Sequence, residues 1–312
     1  MEIMKSPLIF SKKSAITIGL FDGVHLGHRK LIEHLFEYSA KRHLTPVVYT
    51  FTNHPVKENR RKFITTLEER LYLLEKIGVE YVYLTNLDKN FMQMLPEEFV
   101  KRELVERLNT HLVIVGKNFR FGFKKSGDIS TLMELGNYFN FDVIAEDEIN
   151  LKGKSISSSL IHDLIKEGLV ESANEFLGHT YFMQGIINKG KGVGRHLGFP
   201  TANLTYENGN KLLPKNGVYI TIGNYNGMLL KGVTNVGFNP TFEDKKRIKI
   251  ESHFLDVNYN FYGKFLRLYF IKRLRDEIKF EKVQDLRNQV MIDIEEARNF
   301  FSKNPVEKIP LI

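Results

Sequence analysis

Up to about residue 145 the chain alternates short apolar runs with segments of helical spacing, and few architectures accept that rhythm. Strand candidates fall at 15–19, 46–51, 79–85, 111–116 and 141–145, with helix patterns at about 28–42, 66–77, 96–109 and 129–139 between them. Pro96 ahead of Glu97 and Glu98 suits a helix start, where its missing N–H costs nothing. Such alternation predicts a parallel sheet with helices on both faces, whose ligands gather at the carboxyl ends of the strands. A further helix is expected from Ser157 to about Leu177, closed by Gly178 as a C-cap.

Beyond Gly178 the texture changes. Short runs at 181–187, 217–222, 228–233, 249–255 and 265–271 alternate with Gly, Asn and Pro turns, as in a small antiparallel barrel. The tail from Phe280 to Phe301 has helical spacing, with Val283, Leu286, Val290, Ile294 and Ala297 on one face. The 312 residues suffice for two cores, and the expected domains are 1–178 and 179–312. Charge divides the same way. Residues 1–178 carry 24 Lys+Arg against 24 Asp+Glu, whereas 179–312 carry 21 against 13. A basic face suits phosphorylated small molecules or nucleic acid. The runs Lys245-Lys246-Arg247 and Lys272-Arg273 read as solvated strand ends, and no nucleic-acid-binding signature accompanies them.

Within the first half, one ten-residue stretch carries the most chemistry: Gly19-Leu20-Phe21-Asp22-Gly23-Val24-His25-Leu26-Gly27-His28. It follows an apolar strand and opens a helix, where free backbone N–H groups and the helix dipole attract anions. Histidines three apart project from one helix face, and the glycines let backbone approach a ligand. Alone, such a pair also reads as a surface turn or as metal ligands. Zinc is disfavoured because the chain has no cysteine and no His-Glu-x-x-His pattern. The full string G-x-F-D-G-x-H-x-G-H resembles the nucleotidylyltransferases, whose HxGH motif binds nucleoside triphosphate and stabilises the leaving pyrophosphate.

Three further segments keep it company. Thr50-Phe51-Thr52-Asn53-His54-Pro55 ends a strand, and Val115-Gly116-Lys117-Asn118-Phe119-Arg120-Phe121-Gly122 follows another. Asn118 can hydrogen-bond a base or ribose edge. Phe119, Phe121 and Phe123 are candidates for a flat aromatic pocket, with core packing the alternative. Ile156-Ser157-Ser158-Ser159-Leu160-Ile161-His162 opens a helix, where serines serve as caps or bring hydroxyls to phosphate. Together these segments resemble the first half of the bacterial bifunctional riboflavin kinase/FMN adenylyltransferases, also called FAD synthetases. The resemblance implies that Gly19, Phe21, Asp22, His25, His28, Asn118, Ser158, Ser159 and His162 handle ATP while FMN attacks its α-phosphorus. His25 and His28 are the catalytic candidates there. Two departures stand out: Asn53 replaces the family's proline, and His162 replaces its arginine. Arginine is permanently charged and forks to phosphate, whereas histidine is mostly neutral at pH 7.

In the second half, the key run is Gly190-Lys191-Gly192-Val193-Gly194-Arg195-His196-Leu197-Gly198-Phe199-Pro200-Thr201-Ala202-Asn203-Leu204. Gly185 to Lys191 fits G-x-x-x-x-G-K, but Gly192 follows where a P-loop needs Ser or Thr, and Pro200 prevents the required helix. Thr201 and Asn203, two apart on a strand, offer a hydroxyl and an amide carbonyl to one hard cation. Gly190, Gly192 and Gly194 supply backbone N–H groups without side-chain obstruction, an anion nest. The run resembles the riboflavin kinases, as do Pro214–Tyr219, Asn235–Phe242, Glu251–Asp256 and Tyr262-Gly263. The resemblance implies Mg²⁺-ATP on Thr201 and Asn203, and Glu251 as the base that takes the riboflavin 5′-hydroxyl proton.

The expected fold is thus α/β plus β-barrel: a Rossmann-like nucleotidylyltransferase domain, then a small antiparallel riboflavin-kinase barrel with a C-terminal helix. The expected function is phosphorylation of riboflavin to FMN and adenylylation of FMN to FAD. The expected substrates are riboflavin, FMN and ATP, with Mg²⁺ as cofactor and no nucleic-acid or membrane partner; homo-oligomerisation stays open. With no secretory leader, no membrane-length apolar run and no cysteine, a cytoplasmic protein is expected. One rival is a chain with a single working half, the kinase being favoured to survive. A second is an RNA-binding regulator built on the basic half, and a third is a nucleotidylyltransferase for another acceptor.

Overall fold

The computed structural model describes residues 1–5, 7–52, 62–190, 194, 197–206, 210–238, 248–257 and 259–312. Contacts divide the chain into two units, Met1–Lys62 with Thr66–Ser158, and Phe63–Thr65 with Ser159–Ile312.

The first unit is a six-stranded parallel sheet. Its strands are β1 (Glu2–Lys5), β2 (Ser14–Ile18), β3 (Thr45–Phe51), β4 (Tyr81–Thr85), β5 (Thr110–Gly116) and β6 (Asp142–Glu146), in the order β1-β4-β3-β2-β5-β6. The central strands are apolar without alternation, as strands covered on both faces must be; all five residues of β2 are buried. Around the sheet run α1 (Leu26–Arg42), α2 (Leu67–Lys76), α3 (Lys89–Met92), α4 (Pro96–Phe99) and α5 (Ile129–Phe139), followed by a short hairpin of β7 (Asn150–Leu151) and β8 (Lys154–Ser155). The chain proceeds from β2 outward through β3 to β4, then returns to β5 on the other side of β2. The β2–β5 boundary is therefore the topological switch point, where open α/β sheets bind ligands.

The expected strands of this half are present, and the sequence reading missed edge strand β1, which pairs with β4, and the short β7–β8 hairpin. The expected helix 96–109 is shorter and changes character, since α4 passes into a π-helical stretch at Val100–Glu106. That stretch presents Glu103, 1% exposed, to the core, where the Tyr49 hydroxyl donates to its Oε2 at 3.1 Å and Arg107 pairs with Oε1. Burial of this kind is tolerable for a carboxylate only with such partners.

The second unit begins with α6 (Ser158–Lys166, its first residue grouped with the sheet) and α7 (Val170–Leu177). These replace the single helix expected over 157–177. Gly168 adopts φ +81°, a left-handed conformation that ends a helix. Gly178, as expected, caps α7 in the left-handed region. α7 packs on the barrel, and by contacts α6 and α7 group with it from Ser159 onward.

The barrel is closed from β9 (Phe182–Asn188), β10 (Ala202–Thr205), β11 (Gly217–Tyr225), β12 (Met228–Phe238), β13 (Ile248–Phe254) and β14 (Phe265–Arg275), in the order β10-β13-β12-β11-β14-β9. Its buried polar side chains satisfy one another. Thr234 Oγ1 lies 2.7 Å from Thr221 Oγ1 and 2.8 Å from Ser252 Oγ, a hydroxyl chain across β11, β12 and β13. Lys211 is 2% exposed, and its ammonium donates to the carbonyls of Ile64 (2.6 Å) and Phe182 (2.8 Å). The C-terminal helix α8 (Val283–Lys303) buries Ile294, Ala297 and Phe301. Val283, expected on that face, is exposed at the first turn. Among the described residues no helix is long and apolar enough to cross a membrane.

Candidate active sites

In the first unit the chain leaves β2 through a contorted loop. Phe21, Gly23 and Val24 have φ of +53°, +81° and +40°, and both non-glycines are buried. Non-glycine residues persist in this region only where their surroundings impose it, and they cluster at functional sites. His25 then caps α1, its Nδ1 accepting the His28 backbone N–H at 3.3 Å. In the neutral ring this bond puts the proton on Nε2. The two imidazoles stack with centroids 3.6 Å apart and planes 16° from parallel, while Phe21 meets His28 edge-on at 5.1 Å. A Cβ at Gly27 would lie 3.2 Å from the His25 ring, so glycine there lets the imidazole fold down onto the helix start.

A pocket of about 370 Å³ opens beside this pair. Gly19, Phe21, His25 and His28 line it, together with Asn118, Phe119 and Ser158. The sequence motifs after β2 and β5 thus meet across the switch point. Asn118 donates from Nδ2 to Glu148 Oε1 at 2.9 Å, and its Oδ1 lies 3.2 Å from where a Cβ on Gly116 would stand. The Ser158 hydroxyl donates to the Asp22 carbonyl at 3.1 Å, tying the start of α6 to the histidine loop. Asp22, within the loop itself, is 8% exposed and does not line the pocket.

Not every expected residue reaches the pocket. Phe121 stacks on Phe119 but is buried in the core against Phe99, because the chain turns inward there to bridge Gly127. Phe123 follows in a short 3₁₀ turn with Lys124 over its ring. Only Phe119 of the three phenylalanines lines the pocket. Ser159 and His162 fall in the second unit and are absent from its lining; His162 Nδ1 lies 3.4 Å from Asp163. Asn53, His54 and Pro55 lie outside the described residues.

The electrostatics of the pocket are unusual. Burial, then the neighbouring His25 and Arg70, hold the His28 pKa well below the ordinary imidazole value, and its Nδ1 is buried without a hydrogen bond among the described residues. Burial also lowers Arg29, and it pushes Arg70 down to about 10 against the opposing pull of Asp22.

The second unit builds its candidate site from neighbouring strands. β10 turns Ala202 and Leu204 inward and Asn203 outward, and β13 turns Ile250 and Ser252 inward and Glu251 outward. Register sets Glu251 opposite Asn203 on one side and Asn235 on the other, so three polar side chains share one outer face. Lys249 Nζ lies 4.0 Å from Glu251. A Cβ at Gly190 would fall 2.3 Å from Asn203 Nδ2, and one at Gly194 would fall 3.3 Å from Thr201 Cγ2. The glycines thus sit directly against the two residues expected to meet a cation. Gly192 lies outside the described residues. Thr201 also borders a small cavity of about 60 Å³ with Ser252, Phe254, Phe261 and Tyr262.

Sequence reading missed Arg70, Glu148 and Asn235. Asn235 stands in a quoted motif, but only strand register shows it beside Glu251. Arg70 had a signal: it lies three and four residues before buried Leu73 and Leu74, on the inward face of α2.

Strand ends and a helix start converging on stacked imidazoles, followed by a closed barrel with a carboxylate and two amides on one face, define a two-domain nucleotide-dependent transferase. Two family models match, FAD synthetase over residues 9–160 and riboflavin kinase over 177–301. The bifunctional riboflavin kinase/FMN adenylyltransferase of Bacillus subtilis is 33% identical, the match covering 93% of both chains. Its counterpart in Escherichia coli is 32% identical over 92% of both. The chain belongs to the bifunctional riboflavin kinase/FMN adenylyltransferase family and has both of its domains. A crystal structure titled as a macrolide-efflux protein from Streptococcus pneumoniae has the same fold, with TM-score 0.87 and 28% identity over 95% of this chain and 99% of that one.

Proposed function

We propose that this enzyme makes FMN from riboflavin and ATP in its barrel, and FAD from FMN and a second ATP at the sheet. The observation that carries the second activity is the stacked His25–His28 pair at the N-terminus of α1, inside a pocket that also presents Asn118 and Ser158. In that reaction an FMN phosphate oxygen attacks the α-phosphorus of ATP, and the bond to the bridging oxygen breaks to release pyrophosphate. The protein positions two polyanions and neutralises the charge growing on the leaving group. His25, with its proton on Nε2, and the free N–H groups of α1 are suited to donate to phosphate oxygens. His28 is neutral in the free pocket. A triphosphate beside it adds negative charge, which draws its pKa back up and favours an imidazolium where the leaving charge develops. Asn118 addresses the base or ribose, Phe119 offers a flat surface, and Gly19 lets the backbone come close.

In the barrel, Glu251 accepts the proton of the riboflavin 5′-hydroxyl as its oxygen attacks the γ-phosphorus and ADP leaves. Thr201 and Asn203 supply oxygen donors of the kind a hard divalent cation prefers, and the close-set glycines leave room for phosphate beside them. These residues fit Mg²⁺, which when bound would neutralise the β- and γ-oxygens of ATP. Asn235, paired with Glu251 across β12 and β13, is the neighbouring amide suited to orient that carboxylate.

The test is a product assay with riboflavin, ATP and Mg²⁺ that resolves FMN from FAD by chromatography. FMN appearing first and FAD later supports both activities. FMN alone would mean that the sheet half has lost its reaction, the reading that His162 in place of arginine favours. Salt-sensitive RNA binding without any flavin product would sink both.

A further inference from the structure

Arg70 is a full cation in the interior of the first unit, 2% exposed, on the inward face of α2. Its surroundings show what it grips. Nη1 donates to the Leu20 carbonyl at 2.7 Å, and Nη2 donates to the Phe51 carbonyl. Leu20 leads into the histidine loop after β2, and Phe51 is the last residue of β3, the strand next to β2. The Leu20 carbonyl is held a second time by the Thr50 hydroxyl at 3.2 Å. One planar fork therefore ties two adjacent strand ends together, immediately before the residues whose left-handed backbone aims His25 and His28.

We propose that Arg70 is the positioning residue of the adenylyltransferase site, fixing the Leu20–Val24 loop through the Leu20 and Phe51 carbonyls and keeping a positive charge behind the histidine pair. It is not among the residues lining the pocket, so it acts through the loop. The geometry needs arginine. A lysine ammonium is a point charge on a flexible stem, whereas the guanidinium holds two donors in a fixed fork. The charge has its own effect, since Arg70 is one of the groups that disfavour protonation of His28. The other charged or titratable groups near His28 include His25 beside it, Asp22 in the loop, Arg29 and Lys30 on α1, Glu146 at the end of β6, and Asp147 and Glu148 just after it. This inference rests on the adenylyltransferase reading of the pocket.

The experiment compares full-length wild type, R70K and R70M. It measures FAD formation from supplied FMN and ATP, riboflavin phosphorylation, and the titration midpoint of the His28 ring by nitrogen-detected NMR. R70M should lose roughly tenfold to a hundredfold in kcat for FAD, the scale of a misplacement near 1 Å, with KM for ATP little changed. Its His28 midpoint should move up towards the ordinary imidazole value. R70K, which keeps the charge and loses the fork, should also lose kcat but hold the low His28 midpoint. Kinase activity should persist in both. Wild-type kcat in R70K overturns the proposal, as does a rise in KM for ATP as the sole change. If R70M does not fold, R70K alone decides. A wild type that forms no FAD would sink the underlying reading, while the His28 midpoints would still test what Arg70 does to the loop.

Discussion

The two proposed sites draw on different parts of the polypeptide. In the sheet the site is mainly backbone: a helix start, a left-handed loop and strand ends, with His25 and His28 contributed by one continuous decapeptide. In the barrel it is side chains standing on pleated strands, and Asn203, Asn235 and Glu251 become neighbours only through register. A site of the first kind depends on how a loop is held, so its vulnerable points lie behind it. A site of the second kind depends on strand pairing, and a closed barrel supplies that without outside help.

The two largest effects below should therefore each silence one half and spare the other. The largest effect is expected from E251Q, which keeps shape and removes the base. FMN formation should fall about 10²–10⁴-fold with adenylylation of supplied FMN unaltered. Normal phosphorylation of riboflavin by this variant would remove Glu251 from the mechanism. H28A is the converse, and loss of one donor to developing charge predicts a fall of about 10²–10³-fold in FAD and pyrophosphate formation. Equal loss of both activities in a folded protein would make His28 structural and erase the contrast.

Why one half was easier to read than the other follows from the same contrast. A contiguous motif after an apolar strand is visible in a sequence, and so are the strand ends of a sheet buried on both faces. The turn inward at Phe121 was not visible, because alternating phenylalanines look alike whether they face a ligand or a core. The break in the helix at Gly168 was overlooked because the flanking spacing stays helical on either side. Arg70 was missed for a physical reason: an arginine in an amphipathic helix is ordinarily solvated, and only the carbonyls it meets explain its burial.

Two smaller effects sharpen the comparison. H162R restores a permanent, forked cation at the position where the family has arginine, and a few-fold faster FAD formation or a few-fold lower KM for ATP is expected, with the kinase unchanged. An unaltered or slower rate would show that His162 does not stand in for that arginine. The smallest effect is on stability. A His28 pKa lowered in the folded state means that the unfolded chain binds more protons between that depressed value and the ordinary value of about 6.5, so stability rises with pH across this window and is lost as pH falls through it. Thermal melts of wild type should therefore drop more steeply below pH 6.5 than those of H28Q. Parallel curves would mean that His28 protonates as easily folded as unfolded.

The buried ammonium of Lys211 has a bearing on how this chain can be cut. One of its acceptors, the Ile64 carbonyl, comes from the tripeptide Phe63–Thr65, which groups with the barrel although almost a hundred residues of the sheet follow it in the chain. Phe63 also exchanges backbone hydrogen bonds with Asn210 and Leu212. A kinase fragment begun at Ser159 would contain every strand of the barrel and still lack this inserted piece, leaving a buried cation short of an acceptor at a cost of about 1–3 kcal/mol. The two catalytic halves are distinct as folded bodies, yet no single scission of the backbone delivers both of them whole.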